Sequence, residues 1–263
     1  MARFASLFAV FILPVVAGCG GAPPSPAARS ELAPTGELRI AVFTGNPVIG
    51  SKDPATGAAR GTTVDLGTGL AARAGVPARV IDYPVIAKMV GDAGSGAWDI
   101  AVVAFDPARR SVLDFAPPHM VVDLTYLVAP GATIESAADA DRPGVRIGAA
   151  RGAATALLLE RTLRQATLVP LESEPAVFEA LRAGKVDAIA QNRFLLLGLA
   201  DRLPGSRVVA DRFAAAEMTI VLPKGRPAAL EYVGAFVADA RKSGSVARAI
   251  EAAGLRGVTV APD

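Results

Sequence analysis

From Gly36 onward, short apolar runs alternate with stretches whose apolar residues recur at helical spacing. Leu38–Phe43 carries one charge, Arg39, and reads as a buried strand ended by Thr44-Gly45-Asn46-Pro47. Asp53-Pro54-Ala55-Thr56-Gly57 reads as a turn, so a hairpin-like loop is expected before Gly61. Thr62 and Thr63 fit the N-cap of a helix that runs through Leu66, Leu70 and Ala71 to Gly75. A second strand, Ala78–Tyr83, a helix, Ile86–Ala93, and a third strand, Trp98–Phe105, follow. Strands alternating with helices predict an α/β fold with a mostly parallel sheet.

The pattern then recurs. Val145-Arg146-Ile147-Gly148-Ala149 matches Leu38-Arg39-Ile40-Ala41-Val42 in its Arg-Ile pair and apolar frame, and Gly184-Lys185-Val186-Asp187 matches Gly96-Ala97-Trp98-Asp99. In both copies an Asp follows a helix-ending Gly by three residues, at the start of an apolar strand. Between the copies Val121–Val128 is extended and rich in β-branched residues; Met218–Leu222 follows the second copy in the same style. Pro227–Ala240 and Ser245–Ala253 read as closing amphipathic helices. The expected organisation is two hinged α/β lobes: residues 36–120 with 217–263, residues 125–210, and hinge segments 121–124 and 211–216. A cleft between hinged lobes is a usual seat for a small ligand.

Composition narrows the chemistry. The 263 residues are 52% hydrophobic and 20% charged with formal net charge +2, which excludes a disordered chain and gives no electrostatic case for nucleic acid. One Cys and one His leave no intrachain disulfide and no Cys/His zinc cluster. Neither a metal nor a cofactor is expected. Arg3 and the apolar run Phe4–Ala17 are too short to span a bilayer and suit a secretory signal over residues 1–18. The run closes in Val16-Ala17-Gly18-Cys19, which resembles a bacterial lipobox and implies a lipidated Cys19; a plain small-residue cleavage site is the alternative. The Pro-rich stretch that follows reads as a flexible tether over residues 19–35.

Several ordered segments resemble the family 3 extracellular solute-binding proteins, the polar amino-acid receptors of ABC importers. They are Gly61-Thr62-Thr63-Val64-Asp65-Leu66, Gly96-Ala97-Trp98-Asp99-Ile100, Pro107-Ala108-Arg109-Arg110 through Asp114-Phe115-Ala116-Pro117, Gly184-Lys185-Val186-Asp187-Ala188, and the closing helix pair with Gly244. The resemblance implies the type II periplasmic binding protein fold and a monomeric protein held in the periplasm by its lipid. Its partners would be a small anionic or zwitterionic solute and an importer permease. It also implies a carboxylate-gripping arginine, here Arg109. Local physics agrees, since Asp106-Pro107 fit N-cap and N1 of a helix and place Arg109 in the first turn, where a cation needs an anion. Arg110 is expected to pair with Asp114 at i+4.

Opposite, Gly152, Ala153, Ala154 and Thr155 lie between a strand and a helix, where free backbone N–H groups can meet an anion. The family places hydroxyl residues there; this chain has alanines. Where the family carries an Asp for the ligand's ammonium, the register gives Asn192, which brings no negative charge. A carboxylate-bearing solute, an amino acid or a related organic acid, is therefore the expected ligand. Asn46 and Tyr83 are further cleft candidates, and Phe105 fits either cleft or core.

The expectation is a binding protein, not an enzyme. Relatives that are cyclohexadienyl dehydratases offer an alternative, for which Glu172 or Glu174 would serve if held in an apolar pocket; a ligand sensor for a membrane receptor is another. Gly67-Thr68-Gly69 falls inside an expected helix and is no dinucleotide fingerprint, and the chain lacks a phosphate-loop motif. His119 is expected to pack or to lie at the hinge.

Overall fold

The computed structural model describes residues 22–262, so the signal segment and Cys19 lie outside the described residues. Helix α1 (Pro26–Leu32) occupies part of the stretch expected as a flexible tether. Ser25 caps it by accepting from the Ala28 N–H at 3.1 Å, Pro26 starts it, and Ala28 and Leu32 are buried four residues apart. Arg29 donates to the Gly75 carbonyl at 2.8 Å, and Glu31 accepts from the Ala229 N–H at 2.9 Å. A small, Pro-rich composition conceals this cap and its two-residue apolar face.

The first lobe begins with β1 (Leu38–Phe43), buried throughout, then a loop with the short hairpin β2 (Ser51–Lys52) and β3 (Ala59–Arg60). Helix α2 (Thr62–Ala74) is capped at Gly61, not by a threonine hydroxyl; Thr62 Oγ1 instead donates to the Val48 carbonyl at 2.7 Å. A Cβ at Gly67 would lie 2.7 Å from the Ile40 side chain, so this glycine lets α2 press on β1. Next come β4 (Ala78–Tyr83), α3 (Ile86–Gly91) and β5 (Ile100–Ala104). A 3-10 turn (Pro107–Ser111) then leads into the 16-residue strand β6 (Leu113–Val128).

The second lobe repeats the scheme with β7 (Arg146–Ala150), α4 (Ala154–Thr162), β8 (Thr167–Leu171), α5 (Glu174–Arg182) and β9 (Ala188–Asn192). It ends with α6 (Arg193–Ala200) and β10 (Arg207–Val208). Strand β11 (Ala214–Pro223) returns to the first lobe, followed by α7 (Pro227–Lys242), α8 (Ser245–Ala252) and β12 (Val258–Val260).

The sheet order is β4-β1-β5-β11-β6-β9-β7-β8. The parallel triplets β4-β1-β5 and β8-β7-β9 share one order, and the third strand of each meets an antiparallel crossing strand. That strand is β11 for β5 and β6 for β9, so each lobe's sheet is finished by a strand from the connection on the far side. Where the crossings run together, Ala214, Ala215 and Ala216 pair with Leu124, Asp123 and Val122. His119 sits in β6, fully buried and with both ring nitrogens unpartnered; burial lowers it to about 4.

The repeated Arg and Asp prove to be one interaction made twice. In the first lobe Arg39 Nε and Nη2 fork onto Asp99 at 2.8 Å each, and the third nitrogen reaches the Gly96 carbonyl. In the second, Arg146 forks onto Asp187 at 3.1 and 2.7 Å and donates to the Gly184 carbonyl at 3.0 Å. Each Asp also accepts from the backbone N–H of its Arg, tying the first strand of a lobe to the start of its third. Asp99 is fully buried and takes Arg226 as well, at 3.0 Å, whereas the Arg146–Asp187 side chains are 43% and 33% exposed. Breaking a buried pair strands a charge, while solvent screens the exposed one. Asp99→Ala is therefore expected to cost about 3–5 kcal/mol and Asp187→Ala about 1 kcal/mol. Urea midpoints of the two variants check this; equal losses would contradict it.

Candidate functional site

The ends of β1, β5, β7 and β9 converge on one cavity between the lobes, of about 500 Å³ counting its open mouth. Its walls are mostly apolar, with Phe43, Val48, Ile49 and Ile86 from one lobe, Ala153 and Ala154 from the other, and Val122 and Met218 from the crossing strands. An apolar lining with a few polar groups suits a small molecule. The polar groups are few: Asn46, Arg109, Thr155, Glu174, Gln191 and Asn192.

Arg109 comes from the turn after β5. Asp106 Oδ1 caps that turn by accepting from the Ala108 N–H at 2.8 Å, and Pro107 opens it, as the sequence suggests, although it is a 3-10 turn of five residues. The turn stops before Asp114, so Arg110 lacks its expected partner; it lies over the Phe105 ring at 5.0 Å, while Asp114 binds Lys224 at 3.1 Å. Arg109 is 5% exposed, donating through Nη1 to the Ala104 carbonyl and through Nη2 to the Gly152 carbonyl, both at 2.8 Å. Neither acceptor is charged. Burial lowers this guanidinium to about 10, only partly offset by the field of Asp106.

Gly152 turns the chain from β7 into α4 at φ 72°, a left-handed conformation, and a Cβ there would lie 3.2 Å from the Ala87 side chain across the cleft. Its carbonyl receives Arg109. Ala153, the N-cap of α4, supplies no side-chain cap, and Ala153, Ala154 and Thr155 line the cavity. The Thr155 hydroxyl is buried without a hydrogen-bond partner.

A relay of amides closes the other side. Asn192 ends β9 and caps α6 by accepting from the Leu195 N–H at 2.8 Å, while its Nδ2 donates to Asn46 Oδ1 at 2.9 Å. Asn46 Oδ1 also accepts from the Val48 N–H, which fixes the loop after β1. Gln191 Oε1 accepts from the Asn192 backbone N–H at 2.8 Å, and its Nε2 donates to Glu174 Oε1 at 2.6 Å. Glu174 sits at the first position of α5 behind the Ser173 cap. Burial pushes it up to about 7, against a smaller downward pull from Gln191.

The structure thus gathers Arg109, Asn192, Asn46, Ala153, Ala154 and Thr155 around the cavity and places Gly152 at its rim through Arg109. Two expected aromatics fall outside its lining. Tyr83 ends the edge strand β4, and its hydroxyl donates to Asp92 at 3.0 Å. Phe105 packs edge-on against Phe115 at 5.2 Å. The sequence reading missed Gln191, and named Glu174 only as a candidate acid for an enzyme. Its polar position beside a helix cap was visible, but the approach of β9 that buries it was not. Among the described residues no helix is long and apolar enough to cross a membrane, and no group of His, Cys, Asp and Glu could hold a metal.

Comparison with known proteins gives one consistent picture. The profile of the bacterial extracellular solute-binding proteins, family 3, matches residues 38–253. A glutamine-binding protein of Geobacillus stearothermophilus is 25% identical over 183 residues, 68% of this chain and 70% of that one. The fold superposes on a Streptococcus pneumoniae amino acid ABC transporter substrate-binding protein bound to L-arginine, with TM-score 0.74 and 20% identity over 84% of this chain and 96% of the other. It also superposes on an ancestral amino acid-binding protein that is a precursor of cyclohexadienyl dehydratase, with TM-score 0.73 and 22% identity over 85% and 97% of the two chains.

Among the described residues, three polar contacts bridge the lobes: Arg109 to the Gly152 carbonyl, Asn192 to Asn46, and Arg161 to Asp106 at 2.8 Å. Asp106 is 3% exposed, so losing Arg161 leaves it unpaired in a dry place. Arg161→Ala is expected to weaken the closed arrangement by about 1–3 kcal/mol. Small-angle scattering should then show a larger radius of gyration without ligand; an unchanged radius would count against the bridge.

Proposed function

The chain belongs to the bacterial extracellular solute-binding proteins, family 3, and from that premise we propose that it closes its lobes over a small carboxylate-bearing solute and delivers it to the permease of an ABC importer. The observation that carries this reading is Arg109, a buried guanidinium in an apolar interlobe cavity whose two acceptors are both uncharged carbonyls. A desolvated cation of this kind gains from a carboxylate, which a planar guanidinium can grip bidentately. Thr155 and the first-turn N–H groups of α4 add donors from the other lobe. A ligand that touches both lobes favours the closed state by its differential affinity. The hinge we assign to residues 121–124 and 211–216, where β6 and β11 cross side by side.

A relative named for glutamine and a structural neighbour bound to L-arginine support an α-amino acid or a related organic acid as solute. A lipid on Cys19 would hold the body at a membrane in the periplasm, as a monomer. Arg109→Ala is expected to weaken binding by about 2–5 kcal/mol, measured by calorimetry with the best ligand from a thermal-shift panel of amino acids, dicarboxylates, keto acids and aromatic acids. Wild-type-like affinity would remove Arg109 from the site.

Glu174 favours one second reading. A carboxyl held near 7 in an apolar wall can donate a proton, which is the role required of the acid in a cyclohexadienyl dehydratase. Turnover of prephenate or arogenate by the wild type, lost in Glu174→Gln, would establish it; binding of either without turnover would leave the transport reading in place.

A further inference from the structure

The cavity holds one cationic and one acidic side chain among its lining residues, Arg109 and Glu174. Every other polar group there is an amide or a hydroxyl. Burying an unbalanced charge is costly, so a ligand that brings the sum of its own charge and that of these two groups close to zero is favoured. Asn192 cannot alter that sum. Its carbonyl caps α6, its amide nitrogen bridges to Asn46, and it carries no charge in either role.

Glu174 can alter it. The side chain is partly buried between the main cavity and a smaller pocket lined by Pro84, Ile86 and Arg151, and its hydrogen-bond partner is the neutral Gln191 amide. The charged groups around it are engaged elsewhere. Arg109 faces it from the first lobe and donates to two carbonyls. On its smaller pocket Arg151 is paired with Glu172 at 3.1 Å. On its outer side, Glu179 is paired with Arg182 at 2.6 Å and Arg202 lies over the Phe178 ring. Nothing fixed beside Glu174 settles its charge, so the ligand can.

We propose that Glu174 sets the charge class of the solute: as a carboxylate it takes the cationic group of a zwitterion, and as a neutral acid it admits a monoanion. With Glu174 ionised, the cavity is neutral and a zwitterion keeps it neutral. With Glu174 protonated, the cavity carries Arg109 alone and a monoanionic acid balances it. The raised titration of Glu174 in the empty cleft, near 7, leaves both forms within reach at ordinary pH. Binding a zwitterion then releases a proton, and binding a monoanion takes one up. By linkage, affinity for the zwitterion rises with pH and affinity for the monoanion falls. This inference rests on the solute-binding reading above.

The test uses the mature protein and matched probes, the neutral-side-chain L-amino acids and the 2-hydroxy acids with the same side chains. Each pair differs only in an ammonium against a hydroxyl, and both members keep their charge between about pH 6 and pH 8. Calorimetry in buffers of different ionisation enthalpy counts the protons exchanged. The ratio of amino-acid to hydroxy-acid affinity is expected to rise by about tenfold or more across that range, one linked proton allowing at most about tenfold per pH unit. Glu174→Gln should hold the ratio constant within about twofold, abolish the proton exchange and retain hydroxy-acid binding. A ratio that does not move in the wild type, or that still moves in Glu174→Gln, overturns the proposal. If Arg109→Ala abolishes binding while Glu174→Gln changes nothing, the solute-binding reading stands and this inference falls; if no probe of either kind binds, both fall. A ligand-free measurement gives an independent check. A carboxyl raised by folding costs stability as pH climbs from its ordinary value to its folded one, so the wild type should lose melting temperature relative to Glu174→Gln between about pH 5 and pH 8. Parallel curves would overturn the proposal without any ligand.

Discussion

The arrangement turns on a guanidinium that the protein buries without neutralising it. Arg109 is stripped of water, its two hydrogen bonds end on peptide carbonyls, and the nearby Asp106 is spent on Arg161. Such a group raises the energy of the empty cleft, and the chain tolerates it because the surrounding strands are well packed. Around it the walls are mostly apolar, the first turn of the opposing helix lines the cavity, and the acid among the lining residues, Glu174, comes from the other lobe.

The two lobes are held to the same internal standard by the Arg–Asp fork. Because the fork joins the first strand to the third through a side chain and a backbone N–H together, it fixes their register as well as their proximity. It is also why the repeat could be read from the sequence. An Arg before an Ile at a strand start, and an Asp three residues after a helix-ending Gly, are local spacings with one geometric solution in this topology. The parallel triplets and the cap that presents Arg109 were legible for the same reason, being determined by residues close together in the chain.

What was hidden depended on contacts between distant segments. Whether Tyr83 and Phe105 point into the cleft is decided by Asp92 and Phe115, not by their places at strand ends. The burial of Glu174 is set by β9, seventeen residues further on, whose Gln191 reaches it. The helix at Pro26–Leu32 packs on α7 with Ala28 and Leu32 buried, a contact remote in sequence, so composition alone made it look like a linker. The cleft is legible as a place and only partly as a chemistry.

The exchange of crossing strands has a consequence for how the molecule is made. Strand β5 lies between β1 and β11, and β11 leaves the ribosome more than a hundred residues later, after the whole of the second lobe. The first lobe to be synthesised is thus the later one to be completed, with an open sheet edge exposed during translation. Cutting the chain between the lobes would yield two fragments that each lack a strand. The exchange therefore makes the two halves one cooperative folding unit, in which pairing remote in sequence sets the pace.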